Sequence, residues 1–132
     1  MDETLKTIER FHGHLGPYAV LGYKMGKIAC EQLGSDPFEK TATVSTGTTP
    51  PISCIIDGIQ LGSGCTLGKG NITVKNEKIA KAEFSNKTGK KITISLQKKV
   101  QQEIDDNVTE ENIISYSEDM YARKNNDLFQ IE

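Results

Sequence analysis

Apolar residues recur along this chain at helical spacing near both ends and at alternating spacing in the middle. Leu5 and Ile8 stand at helical spacing in the first ten residues, with Phe11 following, which predicts a short amphipathic helix. A glycine-rich break, Phe11-His12-Gly13-His14-Leu15-Gly16, carries both histidines of the protein. Pro17 then sits where a first helical turn tolerates it. Ala19, Val20, Tyr23, Ile28 and Leu33 supply the apolar positions of a second helix, ended by Gly34 with Pro37 beyond. Gly22 and Gly26 lie four apart on one face of that helix and leave room for another backbone to come close.

Residues 41–46 are rich in β-branched side chains and predict a strand, followed by a loop from Gly47 to Pro51. Ser53 is placed to cap a short helix from Cys54 to about Leu61, with Cys54, Asp57 and Leu61 near one face. The glycine run to Gly70 is expected to be irregular. Residues 71–75, 79–85 and 91–96 predict three strands joined by turns, an antiparallel meander sharing one sheet with the 41–46 strand. The remainder is helical and charged. Thr109 is placed to cap a segment whose Ile113, Tyr116, Met120 and Tyr121 form an apolar stripe. A core-packing helix is expected there, with a dimer-facing stripe as the alternative. Helices from the N- and C-terminal segments packed on a mainly antiparallel sheet make this an α+β protein, one domain in 132 residues.

Composition narrows the partners. The formal net charge is -2, so no basic excess supports a nucleic-acid surface. No apolar run approaches the roughly 20 residues that span a bilayer. The first residues, Met1-Asp-Glu-Thr-Leu, are acidic and unlike a signal peptide, so the expected location is cytoplasmic. Three cysteines, Cys30, Cys54 and Cys65, are an odd count for a disulfide framework. Reduced thiols are expected, a Cys54–Cys65 bridge being the alternative.

The chemistry is concentrated in two segments. Residues 54–71 hold Cys54, Asp57, Gln60, Cys65, Thr66, Lys69 and Asn71 among glycines at 58, 62, 64, 68 and 70. His12 and His14 form the other segment. On an extended loop, alternate residues face one side and both imidazoles converge on one ion or substrate; on a helix they would not. Gly13 and Gly16 favour the loop. The spacing of Cys54 and Cys65 is unlike the C-x-x-C of zinc knuckles, so a metal site would draw on residues adjacent only in space. His12, His14, Cys54 and Cys65 form a donor set that suits zinc with an open position, or another late first-row metal. Asp57 is then a ligand, a partner orienting a histidine, or a general base. Cys54 has a plainer reading as a small buried residue, and Cys30, inside the second helix, is assigned to the core. The glycine run matches neither a Walker loop, since no G-x-x-x-x-G-K-[ST] spacing is present, nor the dinucleotide fingerprint, since Leu67 stands where its third glycine belongs.

Four segments together resemble the FmdE-like family, which takes its name from a component of formylmethanofuran dehydrogenase. They are Phe11-His12-Gly13-His14-x-Gly16-Pro17, Leu21-Gly22-Tyr23-Lys24-Met25-Gly26, Cys54-x-x-Asp57-Gly58-Ile59-Gln60 and Gly64-Cys65-Thr66-x-Gly68-Lys69-Gly70-Asn71. The resemblance covers roughly the first 100 residues, a core-domain length. It implies an α+β core, frequent dimerisation, and a metal- or thiol-based site formed by the histidine and cysteine motifs. Many members carry a cysteine where this chain has Gly16, so one thiolate is missing. Many also continue into a cysteine-rich zinc-finger domain, and no cysteine follows Cys65 here.

The leading expectation is a cytoplasmic metal-binding protein of redox or one-carbon metabolism, with zinc as the expected divalent transition metal. His14, Cys54 and Cys65 are the first-choice ligands and His12 the alternate. Cys54, Asp57 and Cys65 are the candidate catalytic groups. Gln60, Thr66, Lys69 and Asn71 would orient a small anionic or carbonyl-bearing ligand. A second expectation is metal-free thiol catalysis, with a histidine activating Cys54 or Cys65. The third is an accessory, non-catalytic component of a molybdenum or tungsten enzyme, its glycine loop meeting a pterin-type cofactor or a partner. A homodimer and an oxidoreductase partner are expected, and neither nucleic acid nor membrane.

Overall fold

The computed structural model describes all residues, 1–132. Helix α1 (Glu3–His12) begins where the Asp2 carboxylate accepts a hydrogen bond from the Thr4 amide at 2.7 Å, which satisfies one of the free donors of the first turn. Its apolar stripe, Leu5 and Ile8, is buried. Helix α2 (Pro17–Leu33) starts on proline, ends at Gly34 and runs through the centre of the molecule, with Val20, Leu21, Met25 and Ala29 wholly buried.

Helix α3 (Cys54–Ser63) lies against α2 at unusually close range, and glycines on both sides make this possible. A Cβ placed on Gly22 would stand 2.1 Å from the Ile55 carbonyl oxygen, and one on Gly26 2.5 Å from the Ser63 nitrogen. From the other side, a Cβ on Gly58 would meet the Ala19 oxygen at 2.0 Å and one on Gly62 the Tyr23 oxygen at 2.3 Å. The pair Gly22/Gly26 seen in the sequence therefore has a counterpart in Gly58/Gly62. Ser53 precedes α3 without capping it: its backbone is already helical and its side chain makes no cap bond. The helix also runs two residues past the expected end, so Gly62 is helical rather than part of a loop.

Five strands form one sheet in the order β2-β1-β3-β4-β5: β1 (Lys40–Val44), β2 (Ile72–Val74), β3 (Lys81–Asn86), β4 (Lys91–Leu96) and β5 (Phe129–Ile131). All pairings are antiparallel except β1 with β2, where Ala42 faces Ile72 and Val44 faces Val74 in parallel. The expected meander is thus corrected: β2 does not pair with β3, because β1 lies between them and α3 carries the chain from β1 to β2. A parallel neighbour needs such a crossover. Ala42, Val44, Ala82, Phe84, Ile92 and Ile94 are buried against the helices, with α2 touching β3 and β4. The alternate residues Thr41, Thr43, Glu83 and Thr93 face away, as a period of two requires. Lys40 is only 1% exposed, and its ammonium is satisfied by the Gly34 and Asp36 carbonyls at 2.9 and 3.0 Å.

After β4 come α4 (Lys98–Asn107), α5 (Ile113–Ala122), a four-residue turn of helix α6 (Asn125–Leu128), and then β5, which the sequence pattern did not foreshadow. Thr109 does not cap α5 directly. It exchanges hydrogen bonds with Asn112 in the turn before the helix, at 2.7 and 3.3 Å. The stripe of α5 turns inward: Met120 is wholly buried, Tyr116 and Tyr121 pack on the core, and α5 lies along α2. Lys24 of α2 donates to the Met120, Tyr121 and Arg123 carbonyls, so a cation closes the C-terminal end of α5. No helix is long and apolar enough to cross a membrane.

Candidate functional site

His12 is the last residue of α1, not part of an extended loop. Gly13 follows with φ 100°, a left-handed turn that reverses the chain and that a glycine adopts without strain. The reversal sets the His14 ring 4.9 Å from that of His12, centroid to centroid. The two imidazoles thus approach each other as expected, by a helix-end turn rather than by strand alternation.

Asp57, in the first turn of α3, reaches across to this turn. Its Oδ2 lies 2.7 Å from His12 Nδ1, with the His12 side chain 10% exposed. A carboxylate only accepts, so Nδ1 carries the proton and donates, which leaves Nε2 with its lone pair free. That Nε2 is buried and meets no hydrogen-bond partner. A buried, unpartnered imidazole nitrogen costs free energy unless something else occupies its lone pair. A carboxylate behind the other nitrogen is the arrangement found behind metal-ligating histidines, where it fixes the tautomer and the ring orientation.

Cys54 stands one turn before Asp57 on α3 and is half-buried. Burial pushes its thiol above the usual value, and the Asp57 charge pushes it further the same way. Cys65 lies elsewhere. It is fully buried, two residues past the far end of α3, and ten helical residues place that end about 15 Å from Cys54. The structure therefore does not bring Cys54 and Cys65 together, either for one ion or for a disulfide; all three cysteines are free. The surroundings of Cys65 are Ser63, Lys40 and Cys30, and burial dominates in raising its thiol. Cys30 is half-buried in α2, with Sγ 3.5 Å from the Gly62 carbonyl oxygen. No three His, Cys, Asp or Glu side chains converge on one point in the chain.

Gln60, Thr66, Lys69 and Asn71 gather at that far end, where they hold the loop. Gln60 Oε1 accepts from the Leu67 amide at 3.0 Å, and Asn71 Oδ1 from the Thr66 amide at 2.8 Å. The Asn71 amide group donates to the Pro37 and Lys40 carbonyls at 2.8 and 3.1 Å. Thr66 Oγ1 accepts from both nitrogens of Lys69, whose ammonium sits 5.6 Å from the Phe38 ring centre. None of the four stands at the His12–Asp57 pair.

Gly16 does face the histidines: a Cβ there would lie 3.4 Å from His14 Nε2. Beyond His14 opens a cavity of about 800 Å³ between the start of α2, Pro51, the end of α4 and the connection to α5. Tyr18 and Asp105 line it, joined by a 2.7 Å hydrogen bond from the phenol to Oδ1. Burial, and next that bond, hold the Tyr18 hydroxyl well above its usual value. Sequence reasoning missed this pair because its members are 87 positions apart and neither belongs to a motif.

Comparison with known proteins assigns the family. The family described as FmdE, molybdenum formylmethanofuran dehydrogenase operon, matches residues 11–130. The chain belongs to the FmdE family. The matched span includes both histidines and continues to β5, so the FmdE domain takes in α4 and α5 as well as the motif-bearing first part. A crystal structure of an FmdE-like protein of tungsten formylmethanofuran dehydrogenase type, from Syntrophus aciditrophicus, has the same fold. The TM-score is 0.70 at 21% identity, covering 98% of this FmdE chain and 69% of that one. A relative from Archaeoglobus fulgidus, named a probable S-adenosyl-L-methionine-binding protein, is 38% identical over 69 residues, 48% of this chain. This FmdE chain spans only 18% of that relative's length.

Proposed function

We propose that this FmdE-family chain is a metal-binding protein that holds a divalent transition metal, zinc by its nitrogen donors, between His12 Nε2 and His14. The buried, unpartnered Nε2 of His12, with Asp57 fixed behind Nδ1, carries this reading. Two imidazoles fill two coordination positions and leave the others to solvent, a substrate or a partner protein. Cys54, one turn from Asp57, is the nearest candidate for a third protein ligand; Cys65, at the other end of α3, is left out of the proposed site. The family's association with a formylmethanofuran dehydrogenase operon supports a role beside an oxidoreductase of one-carbon metabolism. Metal-free thiol catalysis is the weaker reading, because both burial and Asp57 hold the Cys54 thiol protonated.

Elemental analysis of natively purified protein, followed by zinc titration, tests the proposal. His12→Ala and His14→Ala should each abolish stoichiometric metal. Asp57→Asn should weaken affinity by about 10- to 100-fold, and Cys65→Ser should retain the metal. Metal-free native protein that takes up no zinc, or undiminished metal in His12→Ala, would overturn the reading.

A further inference from the structure

The cavity beyond His14 has a composition that singles out one kind of occupant. Its walls are apolar: Pro17, Pro51, Ile104, Val108 and Ile113. Its charges are Asp105 and Glu110, and no lysine or arginine lines it. Neither carboxylate is in an ion pair within the chain, whose ion pairs all involve other acids. The buried Tyr18 phenol, only 3% exposed, holds Asp105 by Oδ1 and leaves Oδ2 without a protein partner. At about 800 Å³ the space is of the size that takes small organic molecules. Charges of one sign over low-dielectric walls focus their field into a cleft and draw in the opposite charge.

We infer that this cavity binds a small organic ammonium compound, its apolar body on the proline and aliphatic walls and its charge between Asp105 and Glu110. The Tyr18 ring adds an aromatic wall of the kind that attracts cations. An anionic ligand would meet two carboxylates and no compensating cation. Such a site differs from the anion- or carbonyl-orienting one expected around Lys69 and Asn71, at the far end of α3. His14 forms part of the cavity wall, so the bound molecule reaches the histidine pair. The binding of the ammonium group nevertheless needs no ion there.

Three probes of matched shape test the inference: phenethylamine, phenethyl alcohol and hydrocinnamate, titrated at neutral pH into isotope-labelled protein and followed by amide chemical shifts. The amine should bind most tightly and the carboxylate least, with shifts centred on Tyr18, Val108, Thr109 and Ile113. Asp105→Asn/Glu110→Gln should weaken the amine by about tenfold or more and leave the alcohol unchanged. Glu110→Gln alone, at a side chain that makes no hydrogen bond in the fold, should show part of the effect if the double variant folds poorly. Metal content measured on the same samples keeps this result separate from the reading of His12 and His14: the acidic variants should retain it. Hydrocinnamate binding as well as the amine, an amine affinity indifferent to both substitutions, or shifts confined to another face would each overturn the inference.

Discussion

Replacing Gly58 by alanine puts the packing of α2 against α3 to a direct test. The new methyl group would stand 2.0 Å from the Ala19 oxygen and 2.4 Å from the Tyr23 nitrogen, both main-chain atoms of α2. An ordinary carbon–oxygen contact is about 3.3 Å, so the two helices must separate by roughly 1 Å. Neither atom can rotate away, since both belong to the backbone. Alanine has a helical preference over glycine of about 1 kcal/mol, which acts in the stabilising direction. Against it, a gap of that size forfeits between a quarter and a half of the dispersion contact of each facing side chain, here Leu21, Met25, Ile55 and Ile59, all wholly buried. Each such side chain contributes about 1.5–3 kcal/mol by burial, so the loss is about 3 kcal/mol and the net destabilisation about 2 kcal/mol. For a chain of this length that lowers the melting temperature by roughly 6–12 °C. Thermal unfolding followed by circular dichroism, with urea unfolding alongside, measures it. Gly68→Ala is the control: nothing lies within 4 Å of its added methyl group, and it should stay within about 0.5 kcal/mol of the parent. A Gly58→Ala protein that melts with the parent, or above it, would refute the close-packing argument. Because Gly58 follows Asp57, the same variant should also disturb the 2.7 Å bond to His12.

Two other outcomes follow from the side-chain environments. The Cys54 and Cys65 thiols lie above the usual 9.0, chiefly through burial. Alkylation of native protein at neutral pH should therefore be slow, Cys65 should react only on unfolding, and rapid stoichiometric labelling would reinstate a thiol nucleophile. Arg123 holds Glu103 by two bonds at 3.0 and 2.7 Å and keeps its carboxyl below the ordinary 4.5. A depressed folded pKa stabilises fully above the ordinary value and loses that contribution as pH falls through the folded one. Glu103→Gln should accordingly cost about 0.5–1 kcal/mol near neutrality, with the difference from the parent closing below pH 4.5 in urea unfolding. A difference that is constant with pH would count against this.

Much of the fold was legible because it depends on local rules. Pro17 and Gly34 mark the ends of α2, Leu5 and Ile8 mark the buried face of α1, and alternation marks β3 and β4. Gly22 and Gly26 announced a close neighbour before that neighbour was known. Errors arose where two distant segments had to be matched. Pairing of β2 with β1 rather than β3 depends on the crossover through α3, and β5 has only three residues and takes its strand character from β4. Gln60 and Asn71 looked like ligand contacts because their polarity was visible and their hydrogen-bond partners, Leu67, Thr66, Pro37 and Lys40, were not.

The same division holds at the site. Residue type and spacing marked His12, His14, Cys54 and Asp57 as chemical, and the family motifs in which they lie are a property of the chain alone. Only the tertiary structure decided which of them meet. Helix α3 is rigid and about 15 Å long, so it carries Asp57 to His12 at one end and removes Cys65 to the other. The Tyr18–Asp105 pair is likewise a product of packing, formed where α2 and α4 are pressed together by the core beneath them. Local sequence sets what a residue can do; the through-space distance between elements sets what it does it with.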